Sequence, residues 1–156
     1  MLLRHLSIYL RQITKKMKKV NPKQEDIFLM LGQGKDWQVI QLSREGISKG
    51  LLFQLGNRIN FTEKELATVL DLSERTLQRY TDDTKLSKVA SEKTIELANL
   101  YQHGEEVFGT IERFNGWMKS PHALFKKQCP IDILDTHRGF QIIHNELGRI
   151  EHGVFI

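Results

Sequence analysis

An all-α fold follows from two features of the chain. The first is the stretch Phe61–Asp83, FTEKELATVLDLSERTLQRYTDD, which reads as two short helices joined by a tight turn. The second is the apolar spacing on either side of it, where intervals of three and four residues recur, as helical faces require. Within the stretch, Thr62 is placed to cap the first helix, and Glu65 to reach back to the cap amide in a capping box. Phe61 and Leu66 flank the cap at the positions of a hydrophobic staple. Leu66, Ala67 and Leu70 form one face, and Asp71-Leu72 ends the pattern. Ser73 is suited to cap the second helix, with Leu77 and Tyr80 inward and Glu74, Arg75, Gln78 and Arg79 outward. A small residue at the crossing (Ala67), an apolar plug in the turn (Leu72) and an apolar anchor (Leu77) are the grammar of a helix-turn-helix. Asp71 stands where glycine is usual, and Asp accepts a left-handed backbone better than most residues. An ordinary helical hairpin shares part of this pattern. DNA recognition through the second helix is the sharper expectation, with Ser73, Arg75, Thr76, Gln78, Arg79 and the following Lys85 as its candidate contacts.

The other elements are read in chain order. Leu3, Leu6, Leu10, Ile13 and Met17 make a heptad-like stripe on a basic helix that closes at Asn21-Pro22. That stripe suits a helix docked on the body, a dimer seam, or an arm for nucleic acid or a membrane surface. Glu25–Leu31 is a short apolar turn of helix. Gly32-Gln33-Gly34-Lys35 is loop punctuation, because a phosphate-binding loop needs GxxxxGK after a strand. Trp37–Leu42 reads equally as helix or extended chain. Ser43 is expected to cap a helix carrying Ile47, Leu51, Leu52 and Leu55 and ending near Gly56 or Asn57. Ser91 is expected to open a further helix with Ile95, Ala98 and Tyr101 on one side, interrupted or ended at His103-Gly104. Thr110 opens the next, with Ile111, Phe114, Trp117 and Met118 inward, closed at Ser120-Pro121. Pro130 starts a short helix, and Thr136 caps the last one, whose stripe is Phe140, Ile143, Leu147 and Ile150 and whose stop is Gly153. The expected organisation is a basic N-terminal segment (1–42), a helix-turn-helix domain (43–103) and a small helical C-terminal domain (104–156).

Composition narrows the class. With 156 residues, 40% apolar and 27% charged, the chain suits an ordinary globular protein. The single cysteine, Cys129, excludes an internal disulfide framework and fits a reducing compartment. No apolar run reaches the roughly 18 residues of a membrane span, and the amino terminus does not read as secretory. A cytoplasmic location without a membrane partner is expected. The net charge of +4 is unevenly spread. Residues 1–23 hold seven basic residues and no acid, so the remainder has 16 basic against 19 acidic residues. Thr62–Lys85 has four basic against six acidic residues, so a phosphate grip needs a dimer or the basic N-terminal segment.

No catalytic residue, cofactor or metal is assigned. His137, His144 and His152 share a side of the last helix at spacings of seven and eight, whereas two helical ligands meet one ion at three or four. Cys129 has no activating motif beside it, and Asp132 and Asp135 read as helix punctuation. The chain finishes with Val154-Phe155-Ile156, an apolar ending that calls for a core groove or a partner.

The segment ILDTHRGFQIIHNELGRIEHGVFI (Ile133–Ile156), preceded by Pro130, closely resembles the toxin-binding domain of bacterial antitoxins of the MbcA/ParS type. Its most distinctive string is Leu147–Phe155, supported by Leu134-Asp135-Thr136 and by Glu105–Gly109. Upstream, the helix-turn-helix resembles the Xre-like domain of the same antitoxins. The likeness covers roughly 43–156; the loop Leu124–Cys129 departs from it, being often Gly-rich in relatives. The resemblance implies an all-α, commonly dimeric antitoxin that covers the active site of a RES-type, NAD-consuming toxin and binds its own promoter DNA. On that reading Arg149, Ile150, Glu151, His152, Gly153, Val154, Phe155 and Ile156 are the toxin-binding residues, and a homodimer is expected. An antitoxin to an ADP-ribosyltransferase toxin, and a stand-alone transcriptional regulator whose C-terminal domain only dimerises, remain open.

Overall fold

The longest of the described helices, Lys88–Phe108, is the one on which three others pack. The computed structural model describes Phe28, Leu31 and residues 36–153. Among them lie seven α-helices: α1 (Asp36–Glu45), α2 (Lys49–Arg58), α3 (Glu63–Val69), α4 (Glu74–Arg79), α5 (Lys88–Phe108), α6 (Ile111–Met118) and α7 (His137–Glu151). Two 3₁₀ turns, Ala123–Phe125 and Pro130–Ile133, link α6 to α7. The described residues contain no strand, so the all-α expectation holds. The N-terminal stripe from Leu3 to Met17, the Gly32–Lys35 loop and Val154–Ile156 lie outside the described residues. Phe28 and Leu31 are helical and buried.

The helix-turn-helix forms as its caps dictate. Thr62 Oγ1 accepts the Glu65 amide, and the Glu65 carboxylate accepts the Thr62 amide at 2.8 Å, closing the capping box. Asp71 takes φ 55°, in the left-handed region the turn requires. Ser73 accepts the Thr76 amide and starts α4.

Three sequence expectations are corrected. The stretch Trp37–Leu42, read equally as helix or extended chain, is helical, and it carries Ser43 inside α1, where the hydroxyl donates back to the Val39 carbonyl at 2.8 Å. Gly46, at φ 86°, ends α1, and Ser48, not Ser43, caps α2 by accepting the Leu51 amide. Ser91 does not open α5, because Ser87 caps it one turn earlier. Ser91 is instead buried, and its Oγ accepts the Ile47 amide at 2.9 Å, filling the hydrogen bond that the break between α1 and α2 leaves open. His103-Gly104 does not stop the helix either. The Phe114 ring lies where a Cβ on Gly104 would stand, 2.2 Å from its nearest carbon. That glycine serves close approach between α5 and α6, and the true stop is Gly109 at φ 86°.

Because α5 runs unbroken through 103/104, the N-terminal and C-terminal parts share it as a common wall. The described core is continuous across them: α1, α6 and α7 all pack on α5 through residues such as Ile95, Ala98, Leu100 and Tyr101. A buried polar relay fastens the join. Tyr101 donates its hydroxyl hydrogen to Asn115 Oδ1 at 2.8 Å, and Asn115 Nδ2 donates to the Ile59 carbonyl at 2.7 Å. Arg58 grips both oxygens of Glu105 at 2.7 and 2.9 Å, and Lys119 meets Glu65 at 2.9 Å. Burial works to raise the Glu65 pKa, but the Lys119 and Thr62 contacts outweigh it and leave it lowered. Burial holds the Tyr101 pKa well above its ordinary value, so the phenol stays a donor. Replacing Asn115 by Leu leaves the Ile59 carbonyl and the Tyr101 hydroxyl without partners. The expected cost is about 2–4 kcal/mol, read as a lower midpoint in urea with an unchanged slope. An unshifted midpoint would show that water takes over both contacts.

Candidate functional site

Two exposed regions carry the residues singled out from sequence. The first is the outer side of α4. Arg75, Gln78 and Arg79 are exposed there, one turn or less apart, above the buried Leu77 that anchors the helix. Ser73 and Thr76 are occupied differently. Their hydroxyls lie 2.7 Å apart, and Ser73 holds the Thr76 amide, so both are committed to the start of α4. Lys85 is exposed in a loop locked to α2: Ser48 and Lys85 form an antiparallel bridge, and the Lys49 and Gly50 amides donate to Thr84 and Asp82 carbonyls at 2.9 Å. The loop after α4 is therefore held by backbone bonds, and the Lys85 side chain is left exposed.

The second region is the C-terminal end of α7. Thr136 caps this helix by accepting the Gly139 amide, and Phe140, Ile143 and Leu147 bury its inner face. Gly139 has to be glycine, since a Cβ there would collide with the Ile133 carbonyl oxygen. The outer end carries the predicted string. Arg149 is exposed and reaches back to Glu146 at 3.4 Å, and Ile150 is half-buried. Glu151, His152 and Gly153 are exposed, with Gly153 at φ 69° and its amide donating to the Ile150 carbonyl at 3.0 Å. The structure thus gathers Arg149–Gly153 at one end of the body; Val154, Phe155 and Ile156 lie outside the described residues.

The histidines are distributed otherwise than their helical spacing suggests. His137 Nδ1 meets Glu96 of α5 at 2.7 Å, and His152 is exposed. His144 stacks on His103 of α5, with ring centroids 5.9 Å apart and planes 19° from parallel. His103 Nε2 in turn lies 3.2 Å from Glu151 Oε2. Burial, and then the neighbouring His103, hold the His144 pKa below its ordinary value. Burial raises the Glu96 pKa against the opposing pull of His137. Sequence reasoning passed over His103, because a helix expected to break at His103-Gly104 places that ring nowhere in particular.

Both regions lie within stretches that match known antitoxin domains. Residues 103–153 match the model for the antitoxin Xre/MbcA/ParS C-terminal toxin-binding domain. Residues 38–99 match the model for the antitoxin Xre-like helix-turn-helix domain. Among solved structures, the fold resembles a chain in the crystal structure of the M. tuberculosis MbcT–MbcA toxin–antitoxin complex. That likeness has 24% identity and a TM-score of 0.53, covering 69% of this chain and 96% of the other, and it is a likeness of fold. No curated protein matches the chain.

Proposed function

We propose, from the premise that the chain belongs to the Xre/MbcA/ParS family of antitoxins, that it neutralises a RES-type, NAD-degrading toxin with the end of α7. We further propose that it represses its own operon through α4, as a cytoplasmic homodimer. The carrying observation is that the toxin-binding match runs to Gly153, and that its last residues, Glu151–Gly153, are exposed rather than spent on the core. The MbcT–MbcA complex supports the same assignment, since a chain of that toxin–antitoxin pair has this fold. In this reading the division of labour is spatial. Residues 43–103 supply the DNA face and 104–156 the toxin face, with α5 common to both.

The neutralising role is tested with the protein encoded beside this gene. Induced alone, that protein should arrest growth and drain cellular NAD, and co-expression of the antitoxin should restore both. A neighbour that leaves NAD intact but attaches ADP-ribose to a target would replace the RES assignment with a transferase. A neighbour without toxicity would count against the antitoxin role in this operon.

On DNA, Arg75 and Arg79 are the groups able to reach a guanine edge or a phosphate. Since Thr62–Lys85 is net acidic, affinity is expected to fall steeply with salt and to need two half-sites. Removing a base-reading arginine should cost about 1–3 kcal/mol and relax specificity, whereas removing a phosphate contact should weaken all sequences alike and flatten the salt slope. Promoter titrations with Arg75→Ala and Arg79→Ala proteins at several salt concentrations separate the cases. Undiminished binding by the double variant would take α4 out of the interface.

A further inference from the structure

We propose that His103, on α5, is a positioning residue of the toxin-facing end: it tethers Glu151 and so sets where the Arg149–Gly153 segment stands. This rests on the antitoxin reading above and adds to it a residue that the C-terminal string does not contain.

A helix end held only by its own backbone frays. Beyond Leu147, the last turn of α7 has few holds on the body. The His152 and Gly153 amides bond within the same helix, Arg149 turns back to Glu146, and Ile150 is half-buried. The contact of His103 Nε2 with Glu151 Oε2, at 3.2 Å across 48 residues, joins that turn to the central helix. His103 is itself steadied by its stack on the half-buried His144. α7 is thereby fixed to α5 near both ends by His–Glu pairs of opposite sense, His137 to Glu96 at its start and Glu151 to His103 at its finish.

A neutral His103 gives Glu151 one hydrogen bond, and a protonated one gives an ion pair, which is stronger. Burial, and then the neighbouring His103, oppose a proton on His144. The other charges around α5 are paired with other groups or exposed. On α5, Glu96 pairs with His137 and Glu105 with Arg58, while Glu106 is exposed. Just past α6, Lys119 pairs with Glu65, and on α6 Glu112 and Arg113 are exposed; on α1, Asp36, Arg44 and Glu45 are exposed.

The test uses amide hydrogen exchange on the full chain, as protection factors for Arg149–Gly153. Wild type should be more protected than H103Q, by about two- to fivefold for an exposed pair of this kind. H103Q and E151Q should each lower that protection, and the double variant should add nothing to either single one. Equal protection in wild type and H103Q, or effects that simply add, would overturn the tether. Rescue of cells from the toxin encoded beside this gene is the second readout, and H103Q should rescue less well than wild type. Full rescue by H103Q despite lost protection overturns the positioning role. Failure of wild type itself to rescue removes the antitoxin reading instead, and the exchange data tell the two failures apart.

Discussion

Deleting Gly153–Ile156 is expected to abolish neutralisation of the toxin while leaving the fold and promoter binding intact. The cut falls beyond the buried face of α7, whose last fully buried residue is Leu147. Gly153 is exposed and contributes one backbone bond to Ile150, so the described core loses almost nothing. What is lost is Val154-Phe155-Ile156, three apolar side chains that the proposed function seats against the toxin. At about 25 cal/mol per Å², burying three such groups is worth several kcal/mol before ordering costs. A surviving share of about 3 kcal/mol corresponds to more than about a hundredfold in Kd. The truncated protein should show the same helical circular dichroism and melting temperature as wild type, bind the promoter equally, and fail to rescue growth. Should it stay folded and still rescue, the blocking role of the tail is refuted. Should the melting temperature fall and every function fail together, the tail belongs to the protein's own core.

One substitution, glycine to alanine, should have opposite signs at two positions of the same bundle. At Gly104 the added Cβ would stand 2.2 Å from the Phe114 ring, and Phe114 is fully buried against Tyr101, Phe108 and Trp117. A ring so enclosed cannot swing aside without displacing its neighbours, so α5 and α6 must separate. The expected destabilisation is about 2–4 kcal/mol, the overpacking cost less the helix propensity gained. At Gly116, in α6, nothing lies within 4 Å of the new methyl. There alanine should stabilise by about 0.5–1 kcal/mol, because it restricts the unfolded chain and favours helix at no steric cost. For a chain of this size each kcal/mol moves the melting temperature by about 2–4 °C, so calorimetry resolves both. A neutral Gly104→Ala protein would mean that the α5–α6 contact is looser than the structure has it. The linkage from His144 is read in the same experiment. Its pKa is lowered in the folded state, so the unfolded chain takes up the proton first, and stability falls as pH drops below about 6.5, levelling off once the folded pKa is passed.

Much of this was legible in the chain alone, wherever the deciding interaction spans a few residues. The Thr62–Glu65 capping box, the Ser73 cap, the left-handed Asp71 and the Thr136 cap are all contacts between residues three or four apart, or single-residue backbone preferences. Helical spacing likewise marked Phe140, Ile143 and Leu147 as the buried face of α7. The string from Leu147 to Phe155 is specific enough to point to the antitoxins by itself. Tertiary structure decided what depends on partners distant in sequence. Ser43 and Ser91 have the chemistry of caps, yet one sits within a helix and the other satisfies the Ile47 amide 44 residues away. Gly104 looks like a helix stop and is a packing glycine, since Phe114 arrives only when α6 folds back on α5. His103 and Glu151 are 48 residues apart, and the pair exists only where α7 crosses α5. Local chemistry sets where a helix can start or stop, but whether a polar or small residue is used that way depends on the surface the rest of the chain lays against it.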